Sequence, residues 1–573
     1  HGPVALPSDG PYLHTDGALL RDSQGRRVRL SGLNWFGLET CAFAPQGLDH
    51  RSWGDLLDQA RALGFNTLRL PVSDQLLDPG SYPRGIDYAL NPDLRGLSGL
   101  GVLDRIVAGA GRRGLRVLLD RHRPGCGAQS ALWYTRRYPQ ARWIADLVRL
   151  ARRYRGQPAV LGVDLHNEPH GPATWGDGNP ATDWRLAAER AGDAVLRANP
   201  HLLIVVQGVE SYRGDYYWWG GNLEGAATAP VRLAVPDRLV YEAHDYGPGV
   251  YWQGWFSAPD YPRNLPALWR RHWAYLAEEG MAPVLLGEFG GRNVALPHVS
   301  KRDTAGATPS GDPATLTRAQ VEEGVWQRLL VNYLAQNPAI GFMYWSFTPN
   351  SSDTGGLLTD DWQTASGVKM QLLRGVLGAA IPLPHAWPPP APVRVLASNV
   401  MSPGGNQQSL TLRVVNDSSQ PLPLAKATLR YWMDASSPVS TTVAASAALA
   451  PPDLQREADV DWTSTGANTV VTETGVAYGH AFIALRFVGV APDLESLGPY
   501  GGAVTVIFRL HRADWAPYVP DHDWSYAPSL ALVPVPRLTL SVDGRRVWGT
   551  NPSAHPSRKA TRSHRKRSAA GGS

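Results

Sequence analysis

Residues Leu161–Pro169 read LGVDLHNEP. Val160–Leu165 is an apolar run broken only by Gly162 and Asp164, the pattern of a strand buried on both faces. His166, Asn167, Glu168 and Pro169 follow where that strand should end, and Pro169 cannot continue a ladder or a helix. A carboxylate at the C-terminal end of a buried parallel strand is where a barrel enzyme holds catalytic groups. Taken alone, a Glu after a strand is more commonly a solvated turn residue. The rest of the chain decides between the two readings.

Working outward, strands and helices alternate from the start of the chain to about Ile381. Strands are expected at Val28–Leu33, Thr67–Leu70, Leu115–Leu119, Val160–Leu165, Leu202–Val206, Arg238–Tyr241, Val284–Leu286 and Phe342–Tyr344. Helical spacing marks Trp53–Leu63, Leu103–Arg113, Ile144–Tyr154, Trp184–Asn199, Leu265–Glu279 and Gln320–Gln336, with Gly64 and Gly114 closing the first two. Eight strands separated by helices predict an α/β fold, a (β/α)8 TIM barrel over 1–381 with long loops. The aromatic stretch RGDYYWWGGN (213–222) and the polar insertion 293–317 are two such loops.

The texture changes after IPLPHAWPPPAPV. A Pro-rich linker is expected at 382–393, stiff around Pro388–Pro390. Short alternating runs at Ser409–Val415, Ala427–Trp432, Ala481–Phe487, Ala503–Leu510 and Arg537–Val542 predict an all-β sandwich domain at 394–551. The basic tail 552–573 reads as disordered.

The net charge of +5 sits largely in that tail, and no reader domain accompanies it, so nucleic-acid binding is not expected. No apolar run reaches membrane-spanning length, so no membrane partner is expected either. The chain begins at His1 without a Met, which suits an exported protein whose leader was removed, or a trimmed chain. Trp (21) and Tyr (21) outnumber Phe (10), and such amphipathic aromatics suit either stacking on sugar rings or filling a large core.

Polar residues gather at successive strand ends: Arg69, His122, Asn167 with Glu168, His244 with Tyr246, Glu288 and Trp345. Strand ends converge at one face of a barrel. Two carboxylates facing one bond are what glycoside hydrolysis needs: one protonates the leaving oxygen, the other attacks the sugar or activates water. Arg69 and Tyr246 could hold a carboxylate ionised, His122 and Asn167 could bind hydroxyls, and Trp345 could stack on a ring. Arg69 as a buried ion-pair partner and His244 as a core histidine are the structural alternatives.

The motifs LNWFG (33–37), LRLP (68–71), DRHRP (120–124), HNEP (166–169), HDY (244–246), GEFG (287–290) and YWSF (344–347) resemble glycoside hydrolase family 5. Runs such as CGAQSALWYT and YWWGGNLEGA are similar to its bacterial cellulase branch, the endo-1,4-β-glucanases. The resemblance covers nearly all of residues 10–380. It implies a retaining hydrolase of internal cellulose bonds, with Glu168 as acid/base and Glu288 as nucleophile. Asn167 would bond the sugar 2-hydroxyl, Arg69 and Tyr246 would position Glu288, His122 and His244 would line the central subsite, and Trp345 would floor it. Trp218 and Trp219 would be further sugar platforms, while Trp252 and Trp255 fit platforms or packing equally. No cofactor is implied for catalysis. A mannanase, a mixed-linkage glucanase and a non-catalytic polysaccharide-binding protein are the alternatives.

Two departures matter. Asp49 stands near where relatives carry Trp, and Glu242 stands where they tend to have a small residue; a third carboxyl there would either shift the pH optimum or point away. The resemblance also pairs Cys41 with Cys126, while Thr174 and Asp177 stand where some relatives hold a second cysteine pair. LRYW (429–432), RADW (512–515), HDWSY (522–526) and DGRRVWGT (543–550) resemble a family 3 carbohydrate-binding module. That implies a cellulose-facing strip including Asp461, Trp462, Arg509 and Trp515, and a structural calcium at Asp434 and Asp523. The alternative is a sandwich that packs on the barrel and binds nothing. The resemblance as a whole implies a secreted, monomeric enzyme acting on cellulose or a related β-glucan.

Overall fold

The computed structural model describes residues 10–292, 294, 317–434, 446–450, 469–488, 496–511, 517 and 520–552. Eight parallel strands close into a barrel: β1 (Ser31–Asn34), β2 (Thr67–Ser73), β3 (Arg116–Arg123), β4 (Val160–Asp164), β5 (Leu203–Gln207), β6 (Leu239–His244), β7 (Val284–Phe289) and β8 (Gly341–Tyr344). β8 pairs with β1 to complete the ring. The eight expected strands all belong to it.

Alternation along each strand sorts side chains between two environments. On β3, Val117 and Leu119 pack outward into the main hydrophobic cluster, while Leu118 faces the barrel interior. On β6, Tyr241 and Ala243 face outward and Val240 inward. The inward rows therefore continue through Asp120 and His122 on β3, and through Glu242 and His244 on β6. The apolar lower half of those rows packs Leu118, Leu203, Val205, Val240, Leu285 and Met343 against Leu13, Leu20, Leu30 and Ile381. Leu13 and Leu20 come from a small antiparallel sheet (His14–Asp16, Leu19–Arg21, Arg27–Val28) that closes the N-terminal end of the barrel.

Helices cover the outside. Helix α1 (Trp53–Ala62) starts on a Ser52 cap that accepts the Asp55 N–H, and α2 (Gly99–Arg112) on a Ser98 cap that accepts the Gly101 N–H. The crossover for which the sequence offered no helical spacing has no α-helix. The β5–β6 connection carries a short 3₁₀ turn, Glu224–Ala227, because its length goes into the aromatic loop instead.

The C-terminal region folds into two five-stranded antiparallel sheets that pack face to face. Val395, Leu410, Leu412 and Val414 of one sheet meet Leu429, Tyr431, Ile483 and Leu485 of the other. This unit is docked on the barrel rather than held away by a spacer. Arg394 is 3% exposed; it bonds Asp417 (2.5 Å) within the sandwich and the Gln363 carbonyl (2.6 Å) of the barrel. Gln59 on α1 donates to Asp417 at 3.0 Å. Tyr500 is buried in the barrel's own hydrophobic cluster. Gly501 (φ +115°) passes so close that a Cβ there would lie 2.2 Å from the Ala365 carbonyl. The Pro-rich segment also lies along the barrel, with the Trp387 ring over the guanidinium groups of Arg112 and Arg113. The basic tail beyond residue 552 lies outside the described residues.

Candidate active site

Seven of the expected residues meet above the apolar floor, and Arg69 on β2 is their hub. Its guanidinium is fully buried and donates to Glu288 Oε1 (2.8 Å), Asn34 Oδ1 (3.0 Å), Asp164 Oδ2 (2.8 Å) and Asn167 Oδ1 (2.9 Å). It also pairs with Asp120 and Glu242, each at 3.1 Å. Charge-assisted bonds of this kind are about twice as strong as neutral ones, and a planar fork that makes several at once fixes geometry as well.

Glu288 takes that bond on Oε1 and the Tyr246 hydroxyl on Oε2 at 2.7 Å. Both lone-pair directions toward the protein are therefore filled, and the carboxylate is aimed. Glu168 sits across from it on the loop after β4, with φ +51°. That left-handed conformation is unfavourable for a Glu, and such outliers concentrate where function demands them. Its backbone N–H donates to Gln207 Oε1 (2.8 Å) at the end of β5. Its carboxylate takes Gln129 Nε2 on Oε2 (2.6 Å) and His244 Nδ1 on Oε1 (2.9 Å). His244 Nδ1 also lies 3.6 Å from Glu288 Oε2. One oxygen of each glutamate and the His244 nitrogen all lie within 4.8 Å of one another.

Burial and charge set the protonation of this group. Burial works against the charge on His244, but Glu288, Glu168 and Glu242 outweigh it and push the imidazole up to about 10. Burial raises Glu168, and the hydrogen bond and charge of His244 together with Gln129 overcome it, so the net shift is downward. His122 goes the other way: burial drives it down to about 4, so it is a neutral ring. Its Nδ1–H then donates to Asp120 Oδ2 (2.6 Å) and leaves Nε2 toward Asn167 at 3.4 Å. Burial pushes Asp120 up to about 7 and Asp164 to about 6, each charge also raising or bonding the other. Five carboxyls thus surround two cations.

The aromatic walls divide the remaining expectations. Trp345 stacks between Phe36 (5.5 Å) and His122 (5.8 Å) with its indole N–H on Ser351, beside the glutamates. Trp219 is 44% exposed and lies flat on His170 at 3.8 Å, an open face for a ring. Trp218 corrects the expectation of a second platform. It is 8% exposed, edge-on to Tyr246 and Trp255, and packs in the wall behind Glu288's partner. Cys41 and Cys126 form a disulfide joining the loops after β1 and β3.

Asp461, Trp462 and Trp515 lie outside the described residues, as does the side chain of Arg509. Asp523 is buried and its carboxylate accepts the Tyr431 hydroxyl at 3.2 Å. The Asp434 side chain lies outside the described residues. Four side chains that shape the site escaped the sequence reading as site residues: Asp120, Asp164, Gln207 and Gln129. The first three occupy barrel strands at or near their ends, and the alternation of β3 and β5 could have marked Asp120 and Gln207 as inward. Gln129 lies in a loop and carries no such signal.

Residues 22–351 match the family model for cellulase of glycosyl hydrolase family 5, and residues 394–549 match a cellulose binding domain. An endoglucanase of Paenibacillus polymyxa is 50% identical over 369 residues, covering 64% of this chain and 87% of that one. The major extracellular endoglucanase of Xanthomonas campestris pv. campestris is 43% identical over 364 residues, covering 63% and 70%. The solved catalytic domain of that Xanthomonas enzyme aligns with TM-score 0.57 at 42% identity, over 64% of this chain and 99% of it. A cellotetraose complex of an endocellulase from Pyrococcus horikoshii aligns with TM-score 0.57 at 39% identity, over 64% and 99%.

Proposed function

The chain belongs to glycosyl hydrolase family 5 and is an endo-β-1,4-glucanase; on that premise we propose that it cleaves by double displacement, with Glu288 as nucleophile and Glu168 as acid/base. The observation that carries the assignment is the pair itself: two carboxylates facing each other across one histidine, with an oxygen of each inside 4.8 Å. Retaining glycosidases hold their carboxyl groups about 5–5.5 Å apart, and inverting ones need room for a water between them.

Glu288, held by Arg69 and Tyr246, attacks the anomeric carbon while Glu168 protonates the departing oxygen. Glu168 then takes a proton from the water that cleaves the glycosyl ester. Asn167, fixed by Arg69, meets the 2-hydroxyl, and Trp345 floors the sugar ring beside it. Cellulases of this family need no cofactor for this chemistry. The C-terminal unit belongs to the cellulose-binding domains and takes β-glucan; Asp461, Trp462, Arg509 and Trp515 are the strip proposed to lie on it. We take the protein to be a secreted monomer.

The decisive experiment joins substrate and residue. On carboxymethylcellulose, rapid viscosity loss with few new reducing ends is expected, with mannan and lichenan as comparisons. Glu288→Gln should abolish hydrolysis while cellotetraose binding persists. Hydrolysis by that variant would remove Glu288 from the role, and cleavage of mannan alone would change the substrate but keep the two glutamates.

A further inference from the structure

We propose that Glu242 is a positioning residue for the acid/base step: it grips His244 through Nε2, so that the Nδ1 proton is the one presented to Glu168. The inference rests on the reading of Glu168 as acid/base.

Three observations carry it. Glu242 lies two residues before His244 on β6, so strand alternation puts both side chains on the same inward row. Its carboxylate is completely buried; Oε1 lies 3.1 Å from His244 Nε2, 3.1 Å from Arg69 Nη2 and 3.2 Å from the Gln207 amide, while Oε2 takes no hydrogen bond among the described residues. The neighbouring strand leaves room for it: a Cβ on Gly287 would fall 1.9 Å from Glu242 Oε1. All of this carboxyl's bonding is therefore directed at the histidine, the arginine and the amide that hold the two catalytic glutamates.

The consequence is a line of three groups, Glu242–His244–Glu168, that carries one labile proton. With Nε2–H engaged by Glu242, the proton that can move is on Nδ1, 2.9 Å from Glu168 Oε1. That proton moves to Glu168 only as Glu168 gives its own bond to the departing oxygen, and His244 becomes neutral with its Nε2–H still on Glu242. Glu168 gives the proton to the leaving glycosidic oxygen as Glu288 bonds the anomeric carbon. In the second half Glu168 takes a proton from the attacking water, the ester to Glu288 breaks, and the proton returns to His244. The count is the same before and after. A buried carboxylate behind a histidine fixes its tautomer and supports its charge. The other charged or titratable groups facing this line are Arg69 from β2, Asp120 and His122 from β3, Asp164 from β4, Tyr246 after β6, and Glu288 from β7.

The test is the pH profile of kcat/KM on soluble substrate for the full chain and its Glu242→Gln variant. An opposite charge within hydrogen-bond reach raises a cation by ~1–3 pH units. Its loss should move the alkaline limb acid-ward by at least about one unit, so activity one unit above the parent midpoint falls about tenfold further. On the acid side the loss of kcat/KM should be smaller than on the alkaline side. An alkaline limb in register with the parent, or a uniform loss at every pH, overturns the proposal. If the variant does not fold, ring-¹⁵N NMR of the parent decides: His244, assigned by its absence in His244→Asn, should show both N–H groups at pH 8. A neutral ring protonated only on Nδ1 overturns the proposal. Glu168→Gln separates the two claims: if it still hydrolyses, the acid/base reading fails, whereas a dead Glu168→Gln beside an unmoved Glu242→Gln profile defeats this inference alone.

Discussion

Replacing Arg394 by Met tests whether the sandwich and the barrel unfold as one body. The substitution keeps most of the stem and deletes the charge. Asp417, with no exposed side-chain surface, then loses its 2.5 Å partner and keeps, among the described residues, the Gln59 amide and the more distant Arg51 charge, and the Gln363 carbonyl loses a 2.6 Å donor. Removing one side of a buried pair costs about 3–5 kcal/mol, because the remaining charge stays buried without its hydrogen-bonded partner. What that does to the melting temperature depends on the size of the cooperative unit. Unfolding entropy is about 2.1 cal/mol/K per residue, so ~4 kcal/mol lowers Tm by about 12 °C if roughly 160 residues melt alone. It lowers Tm by only about 3–4 °C if roughly 540 residues melt together. Gln59, Gln363, Tyr500 and the Gly501–Ala365 approach all bind the two units, so a single calorimetric transition with the small shift is expected. Two transitions, with one falling by about 12 °C and the barrel's unmoved, would refute the coupling.

Other outcomes follow from single contacts. Tyr246→Phe deletes the 2.7 Å bond to Glu288 Oε2; a hydrogen bond to a charged group is worth ~1.5–3 kcal/mol, so kcat/KM should fall about 10- to 100-fold, and a loss under about twofold would contradict the role. Cys126→Ser opens a link across a sequence separation of 85, costing ~4.5 kcal/mol by chain entropy, and equal urea midpoints for parent and variant would contradict it. Asp245 is pushed up to about 7 by burial against the bonds from Tyr217 and Trp326. The folded state then keeps a proton that the unfolded chain releases above about pH 4, so this group's contribution to stability falls as pH rises from about 4 to 7. Asp245→Asn should flatten the Tm profile in that window, and an identical slope would count against it.

The barrel was legible because its strands are apolar runs punctuated by Gly and Pro, and each ends on the polar group that reaches the site. Asp120 and Glu242 show where that reading stopped. A carboxyl inside or closing an apolar run looks like the end of a strand, yet on β3 and β6 the inward row continues through it, and the carboxyl finds Arg69 in place of water. Trp218 and Trp219 make the converse point: they lie in a bend and turn, with the Gly221 N–H on the Trp218 carbonyl, and a loop of that shape carries no periodicity to say which ring is buried. The N-terminal sheet has strands of only two or three residues, too short to show a period. The docking of the sandwich leaves no local pattern at all, since Gln59, Gln363, Arg394 and Asp417 are polar residues scattered over more than 350 positions and meet only in three dimensions.

The apolar plug beneath the barrel has a kinetic meaning. With Leu13, Leu20 and Ile381 packed across the lower mouth, the barrel interior is closed at its N-terminal end. With Glu288 as the proposed nucleophile, water has to reach its sugar ester from the C-terminal face, the side on which the departing glucan leaves. A second sugar chain waiting at that face competes with water for the glycosyl-enzyme on equal terms of access. Transglycosylation should therefore grow with oligosaccharide concentration.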